Sequence, residues 1–351
     1  MKFLSASKVP KKVRVSIGSA ITIGLLKGRL DAEPTTAYLM TYKRGKCNAN
    51  CGFCPQARGS RSRADMLSRV SWPAFDTTIV LDRLVAASVE GKIKRVCIQA
   101  LNYPKVIAHL RALIENILQR VKIPISVSCQ PLHLEDIKLL KDAGAERIGI
   151  PIDAATEEIF DKVKGVSVGS RYNMKRQWSL LEEAIKVFGR GYVSTHFIVG
   201  LGETEKEMVY AIQKCVDIGV LPALFAFTPV SGTALENRDP PSIQEYRRVQ
   251  VARYVIFKGL SRAELMSFDD RGRITSFGVD AETLRDIVNS GEPFLTSGCP
   301  HCNRPYYNEK PSGPIYNYPK PLSADDIIKA AEALGLYPKG YMVAGGLIFG
   351  C

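Results

Sequence analysis

At 351 residues the chain is long enough for one large α/β domain or two smaller ones, and 46% apolar with 24% charged residues describes a packed globule, which excludes a disordered chain. Lysine and arginine exceed the acids by 13, for an isoelectric point near 9.3, a balance that suits nucleic acid, an anionic membrane surface or an acidic protein partner. The basic residues are scattered and lack the aromatic interleaving of a nucleic-acid module, and no stretch approaches transmembrane length, so neither nucleic acid nor membrane is the expected partner.

Lys11, Lys12 and Arg14 precede a mostly apolar run, Val15 to Leu26, resembling the first two parts of a secretory signal. Lys27 and Arg29 follow without a small-residue cleavage site, so the stretch reads as a short helix or strand packed on the main domain, residues 1–35 forming an N-terminal extension. The chain is accordingly expected in the cytoplasm, where its nine cysteines serve as ligands and core residues and not as a disulfide framework.

From about residue 36, short runs rich in β-branched residues alternate with segments of helical period. Strands are predicted at Thr36 to Met40, Arg95 to Gln99, Ile123 to Cys129, Arg147 to Ile152, Tyr192 to Val199 and Leu221 to Phe227. Helices are predicted between them, such as Val106 to Arg120, Leu134 to Lys141 and Gln177 to Phe188, and Ser323 to Asp326 has the form of a capping box opening a last helix. Gly291 to Pro321 is dense in Pro, Gly, Tyr and Asn and reads as a long irregular segment. The expected fold is α/β: a partial or complete TIM-type (β/α) barrel over residues 36–290, followed by a cysteine-bearing C-terminal segment over 291–351. In such barrels the loops after the strand C-termini build the site.

The loop after the first predicted strand reads Cys47-Asn48-Ala49-Asn50-Cys51-Gly52-Phe53-Cys54. A structural zinc site closes its shell with four ligands, usually in two pairs, whereas three thiolates on one compact loop suit a [4Fe-4S] cube with one iron left open. Phe53 between the last two cysteines would shield the cluster and offer its backbone to a flat ligand. The alternative is a zinc ion with a distant fourth ligand.

A CxxxCxxC motif with an aromatic residue before the last cysteine, after the first strand of a βα-repeat chain, resembles the radical S-adenosylmethionine (SAM) superfamily. That resemblance implies that Cys47, Cys51 and Cys54 hold a [4Fe-4S] cluster whose open iron binds SAM, and that a 5′-deoxyadenosyl radical abstracts hydrogen from substrate. Cys54-Pro55-Gln56, Ile198-Val199-Gly200-Leu201-Gly202-Glu203-Thr204 and Val251-Ala252-Arg253 resemble biotin synthase in order and spacing, from about residue 36 to about 290. From that likeness Asp153 is expected to accept hydrogen bonds from the SAM ribose, and Arg171 to pair with the SAM carboxylate. Ile198 and Gly200 would contact adenine through apolar surface and close backbone approach. On sequence alone Asp153 reads equally as a helix N-cap, and Arg171 as a solvated charge.

Biotin synthase holds a second, sacrificial cluster with three cysteines and an arginine. Cys97 and Cys129 match two of the cysteines, but Ser194 stands at the third, and both cysteines then read as small buried residues. This chain has Gly298-Cys299-Pro300-His301-Cys302 and a terminal Cys351 instead, a set that could hold an auxiliary [4Fe-4S] cluster, with His301 or Ser297 as a fourth ligand. A zinc knuckle closed by His301 and a redox pair are the rival readings. A biotin synthase-like chain with such a C-terminus resembles one member of the two-subunit lipoyl synthases. That implies a radical SAM sulfurtransferase, an octanoylated and typically acidic lipoyl-carrier protein as substrate, a sister radical SAM subunit, and a low-potential electron donor such as ferredoxin or flavodoxin.

Overall fold

The computed structural model describes residues 9–337. The chain enters through β1 (Lys12–Val15) and a short helix, α1 (Ile17–Thr22), whose N-cap Ser16 accepts from the Ser19 amide. β1 pairs antiparallel with β2 (Thr36–Thr41), so the extension is part of the sheet itself. All six residues of β2 are buried, as expected for a strand covered on both faces. After the cysteine loop, a small hairpin of β3 (Met66–Leu67) and β4 (Val70–Ser71) leads to β5 (Ala74–Asp76), which adds antiparallel to the other side of β1.

Alternation then takes over: α2 (Thr77–Val89), β6 (Arg95–Gln99), α3 (Val106–Arg120), β7 (Ile125–Ser128), α4 (Leu134–Asp142), β8 (Arg147–Gly149), α5 (Glu157–Val163), α6 (Met174–Phe188), β9 (Val193–Val199), α7 (Glu205–Ile218), β10 (Leu221–Ala226) and α8 (Ile243–Phe257). The helices form because apolar residues recur at helical spacing. In α3, Val106, Leu110, Leu113, Ile114 and Ile117 are buried along one stripe, and a capping box of Thr204 and Glu207 opens α7. The sheet order is β10-β9-β8-β7-β6-β2-β1-β5, with every pair from β2 to β10 parallel. The six parallel strands are those the sequence period marks. They make a partial barrel, since among the described residues the order runs from β10 to β5 without joining its ends.

The chain continues through a hairpin, β11 (Ser267–Phe268) and β12 (Ile274–Ser276), to α9 (Ala281–Asn289) and α10 (Ala324–Ala333), the last opened by Ser323 as its N-cap. Between α9 and α10 the irregular segment is pinned to the barrel. The Leu224 amide of edge strand β10 donates to Ser297 Oγ at 2.8 Å. The Thr36 hydroxyl and Arg95 Nε, at the starts of β2 and β6, donate to the carbonyls of His301 and Pro300. The Arg304 guanidinium lies 3.9 Å over the Phe225 ring of β10, while its amide donates to the Tyr38 hydroxyl of β2. The segment therefore lies between the first and last parallel strands, where the barrel is open.

Candidate active site

The cysteine loop is fixed by its neighbours. The Cys47 amide donates to the Gln56 carbonyl, Asn48 to Asn102 in the loop after β6, and Gly52 to Val163 at the end of α5. The Asn50 amide group reaches the Val168 carbonyl at 2.7 Å. Cys47, Cys51, Phe53 and Cys54 all line one cavity of about 440 Å³ at the C-terminal ends of the parallel strands. Its walls also carry Asp153, Lys164, Tyr172, His196, Ile198 and, from the C-terminal segment, Arg304 to Asn308.

The sulfurs sit among backbone donors. Cys47 Sγ accepts from the Asn102 amide at 3.0 Å and the Ala49 amide at 3.5 Å. Burial pushes the Cys54 thiol up to about 12, against the opposing pull of the Gln56 and Ala57 amides. Burial raises Cys51 further, partly offset by Lys164. Amides aimed at sulfur on a water-poor wall serve thiolates that a metal keeps deprotonated, so the three cysteines fit an iron–sulfur cluster. Among the described residues no three His, Cys, Asp or Glu side chains are set to hold a single metal ion. In the Cys299–Cys302 loop, His301 is exposed.

Asp153 is not a helix N-cap. Thr156 caps α5, and Asp153 instead sits at φ 72° with its backbone bridged to Phe197 of β9. Its carboxylate accepts from Lys164 Nζ at 2.5 Å and faces His196 Nε2 at 2.8 Å. Burial alone would raise this carboxyl, but Lys164 and His196 outweigh it and hold it well below the usual carboxylate range. Lys164 is 1% exposed and also donates to the Pro151 carbonyl, with Phe160 and Tyr172 rings 5.5 Å away on either side. The wall of the cavity thus carries a fixed, charged pair beside the cysteines.

Two of the expected contact residues lie outside the cavity lining. Arg171 is exposed and outside the cavity lining, because the chain turns so that Tyr172, whose hydroxyl accepts from Asn102 Nδ2 at 2.5 Å, takes the inward position. Gly200 is also outside the lining: at φ +101° it makes a turn in which the Glu203 carboxylate accepts from the Gly200 and Leu201 amides. Ile198 does face the cavity. Cys299 and Cys302 lie at the N-terminal ends of the strands, and Cys351 lies outside the described residues. Cys129 lines the cavity, and Ser194 faces the barrel interior beside Gly149. Lys164 and His196 went unnoticed in the sequence. The alternation that puts Ile198 inward also puts His196 inward, whereas nothing separates Lys164 from its solvated neighbour Lys162.

The family model described as the radical SAM superfamily matches residues 44–215, spanning the cysteine loop and the strands around this cavity. The chain is a radical SAM superfamily protein, biotin synthase-like in sequence. The biotin synthase of Persephonella marina is 26% identical over 213 residues, 57% of this radical SAM chain and 56% of that protein. A probable GTP 3′,8-cyclase of Methanococcus maripaludis is 23% identical over 261 residues, 74% of this chain and 77% of that one. The radical SAM chain thus spans a little over half the length of the first biotin synthases it matches. Among solved structures, methylornithine synthase superposes with a TM-score of 0.51 at 13% identity, covering 69% of this chain and 66% of that one, a likeness of fold. HydG, a maturase of the [FeFe]-hydrogenase, gives 0.51 at 16% identity over 63% of this chain and 49% of its own. The family is one of [4Fe-4S] and SAM enzymes, and among the described residues no helix is long and apolar enough to cross a membrane.

Proposed function

We propose that this radical SAM enzyme inserts sulfur at an unactivated carbon of an octanoyl chain borne on the lysine of a lipoyl-carrier protein, the sulfur coming from an auxiliary [4Fe-4S] cluster at Cys299 and Cys302. The observation that carries the reading is that Tyr38, which lines the cavity, has its hydroxyl 3.4 Å from Cys302 Sγ, and that Arg304 to Asn308, just after the Cys299–Cys302 loop in sequence, line the same cavity. When bound, the first cluster and SAM supply hydrogen abstraction and the second cluster supplies sulfide. The chain's own residues do the rest. Cys47, Cys51 and Cys54 hold the first cluster, and Asp153, fixed by Lys164 and His196, orients the ribose. Phe225, Tyr307 and Ile198 keep the reacting carbon away from water.

The cavity lining also takes in Ile17, Gly18, Leu30, Ala32 and Pro34, apolar surface for an acyl chain, with the charged Arg29 and Asp31 among them. The excess of 13 positive charges suits an acidic carrier, and a low-potential donor such as ferredoxin or flavodoxin, with a sister radical SAM subunit, completes the proposed system. The test offers octanoyl-lysine peptide and dethiobiotin separately to the reduced protein and follows 5′-deoxyadenosine and sulfur-bearing product by mass spectrometry. A burst and thiolated product with the octanoyl peptide supports the proposal. Turnover of dethiobiotin alone makes the protein a biotin synthase, and no 5′-deoxyadenosine with either makes it a metal-binding scaffold.

A further inference from the structure

Between Glu33 and Asp65 the chain carries six cations, Lys43, Arg44, Lys46, Arg58, Arg61 and Arg63, and no acid. The three cysteines of the cavity lie inside this stretch. Backbone bonds fold it into one compact loop: the Cys47 amide donates to the Gln56 carbonyl, the Arg58 amide to Ala49, and the Arg61 amide to Gly232. Lys46 Nζ donates to the carbonyls of Pro55 and Ser62, tying the two limbs together. The loop has two faces of opposite character. Cys47, Ala49, Cys51, Phe53, Cys54 and Pro55 line the cavity, whereas none of the six cations does. Arg44, Arg58 and Arg61 are exposed. Of the six, only Arg63 has an acidic partner among the described residues, Asp65. Arg58 is held by the Asn48 and Gly169 carbonyls, while the side chains of Arg44 and Arg61 have no hydrogen-bond partner among the described residues. Like charges left unneutralised on one surface repel, and an anionic partner that covers them relieves the repulsion.

We infer that this outer face of the cysteine loop, with Arg44 and Arg61 as its unpartnered charges, is the docking surface for an acidic, low-potential electron-transfer protein. This rests on the low-potential donor proposed above and gives it a place. Two acidic partners compete for the assignment, the donor and the lipoyl-carrier protein. The carrier must deliver its acyl arm into the cavity, and the cations are absent from the cavity lining. The donor has only to approach the cluster. Seated on the outer face, it has a single loop between its own centre and the three cysteines, and the cavity stays free for SAM and substrate. The transfer moves one electron: the donor's centre is oxidised by one as the cluster is reduced by one, and no bond is made or broken.

The test is the binding of oxidised flavodoxin, an acidic electron carrier, to the anaerobically reconstituted full chain, followed by calorimetry over a range of salt concentrations. Beside it, 5′-deoxyadenosine formation is driven either by reduced flavodoxin or by dithionite. Arg44→Glu with Arg61→Glu is expected to weaken flavodoxin binding at least about tenfold and to flatten its salt dependence, with iron content and dithionite-driven 5′-deoxyadenosine unchanged. Lys94→Glu with Lys122→Glu makes the same change of charge at exposed positions before β6 and β7, the opposite end of the strands, and is expected to leave flavodoxin binding as it is. Should the first double variant lose iron, Arg44→Gln with Arg61→Gln carries the same comparison. No binding to the unsubstituted chain at low salt, or binding unmoved by the first double variant, overturns the inference. Equal weakening by the second double variant overturns it too, because net charge alone then explains the attraction. Weaker binding of an octanoylated carrier domain, with flavodoxin unaffected, gives the face to the carrier and overturns it as well. Binding is read without substrate, so the outcome is independent of the sulfur-insertion proposal.

Discussion

Replacing Lys164 by Met removes the nearer partner of a buried carboxylate. Lys164 and Asp153 are 1% and 5% exposed and 2.5 Å apart, so solvent cannot take over the lost interaction. Breaking such a pair costs about 3–5 kcal/mol, and because His196 stays 2.8 Å away the lower end, about 3 kcal/mol, is expected. Lys164→Met with Asp153→Asn should recover most of the loss, since Asn tolerates the positive φ and brings no charge. The pH dependence has a definite sign. In the native chain the folded carboxyl lies below its unfolded value of about 3.9, so its contribution is complete above that pH and fades as pH falls through the folded value. Without Lys164, burial dominates and the folded carboxyl lies higher, so the variant recovers stability as the acid protonates. The gap between the two proteins is therefore widest near pH 7 and narrows as pH falls. Guanidinium unfolding of the cluster-free, reduced proteins measures it. Single substitutions that add to within about 0.5 kcal/mol in the double variant, or a gap indifferent to pH, would refute the pairing.

Three further outcomes follow from the site. Asp153→Asn should raise the SAM concentration needed for half-maximal 5′-deoxyadenosine formation about tenfold, the loss of one charge-assisted hydrogen bond, with the iron content unchanged. Cys51→Ala should abolish 5′-deoxyadenosine formation and remove about four irons, read by iron counting and product analysis. Gly232 sits at φ +83° with its carbonyl accepting from the Arg61 amide, and an added Cβ would lie 2.5 Å from Ser62 N and 2.7 Å from Arg61 C. Gly232→Ala should therefore lower stability by about 1–3 kcal/mol in thermal unfolding and weaken the anchoring of the cysteine loop. Gly259→Ala, at φ +70° with nothing within 4 Å of the new atom, should cost about 1 kcal/mol.

The parallel strands were legible because each is a β-branched run between helical segments, and the helices because their apolar stripes keep period. The limits of α3 coincide with the predicted ones, since Arg120 and the extended Val121 end it abruptly. The antiparallel β1 and β5 were not legible as sheet members. β1 is four residues and β5 three, and only their pairing distinguishes them from loop. The cysteine loop was legible because its chemistry is local: three thiols at fixed spacing need no tertiary knowledge to be grouped. Lys164 and Arg171 illustrate the opposite case. Both are cations near the cavity in sequence, and which is buried depends on where α5 ends and how the following turn folds back, which no local pattern encodes.

The placement of the C-terminal segment makes the cavity a composite of distant sequence. Strands β2 and β10 end the parallel set, and nothing in their own pattern would close the space between them. Arg304 does so by stacking on Phe225 of β10 while its backbone meets Tyr38 of β2, and Tyr307 continues the wall with its ring edge-on to Phe225 at 5.5 Å. The same tyrosine, Tyr38, contacts Cys302 on the far side. One side chain thus touches both the wall of the SAM-site cavity and the cysteine behind it. A change at Cys302 or Arg304 therefore reaches the cavity wall as well as the sulfurs, and under the proposed sulfur insertion the expected signature of damage to this segment is 5′-deoxyadenosine formed in excess of thiolated product.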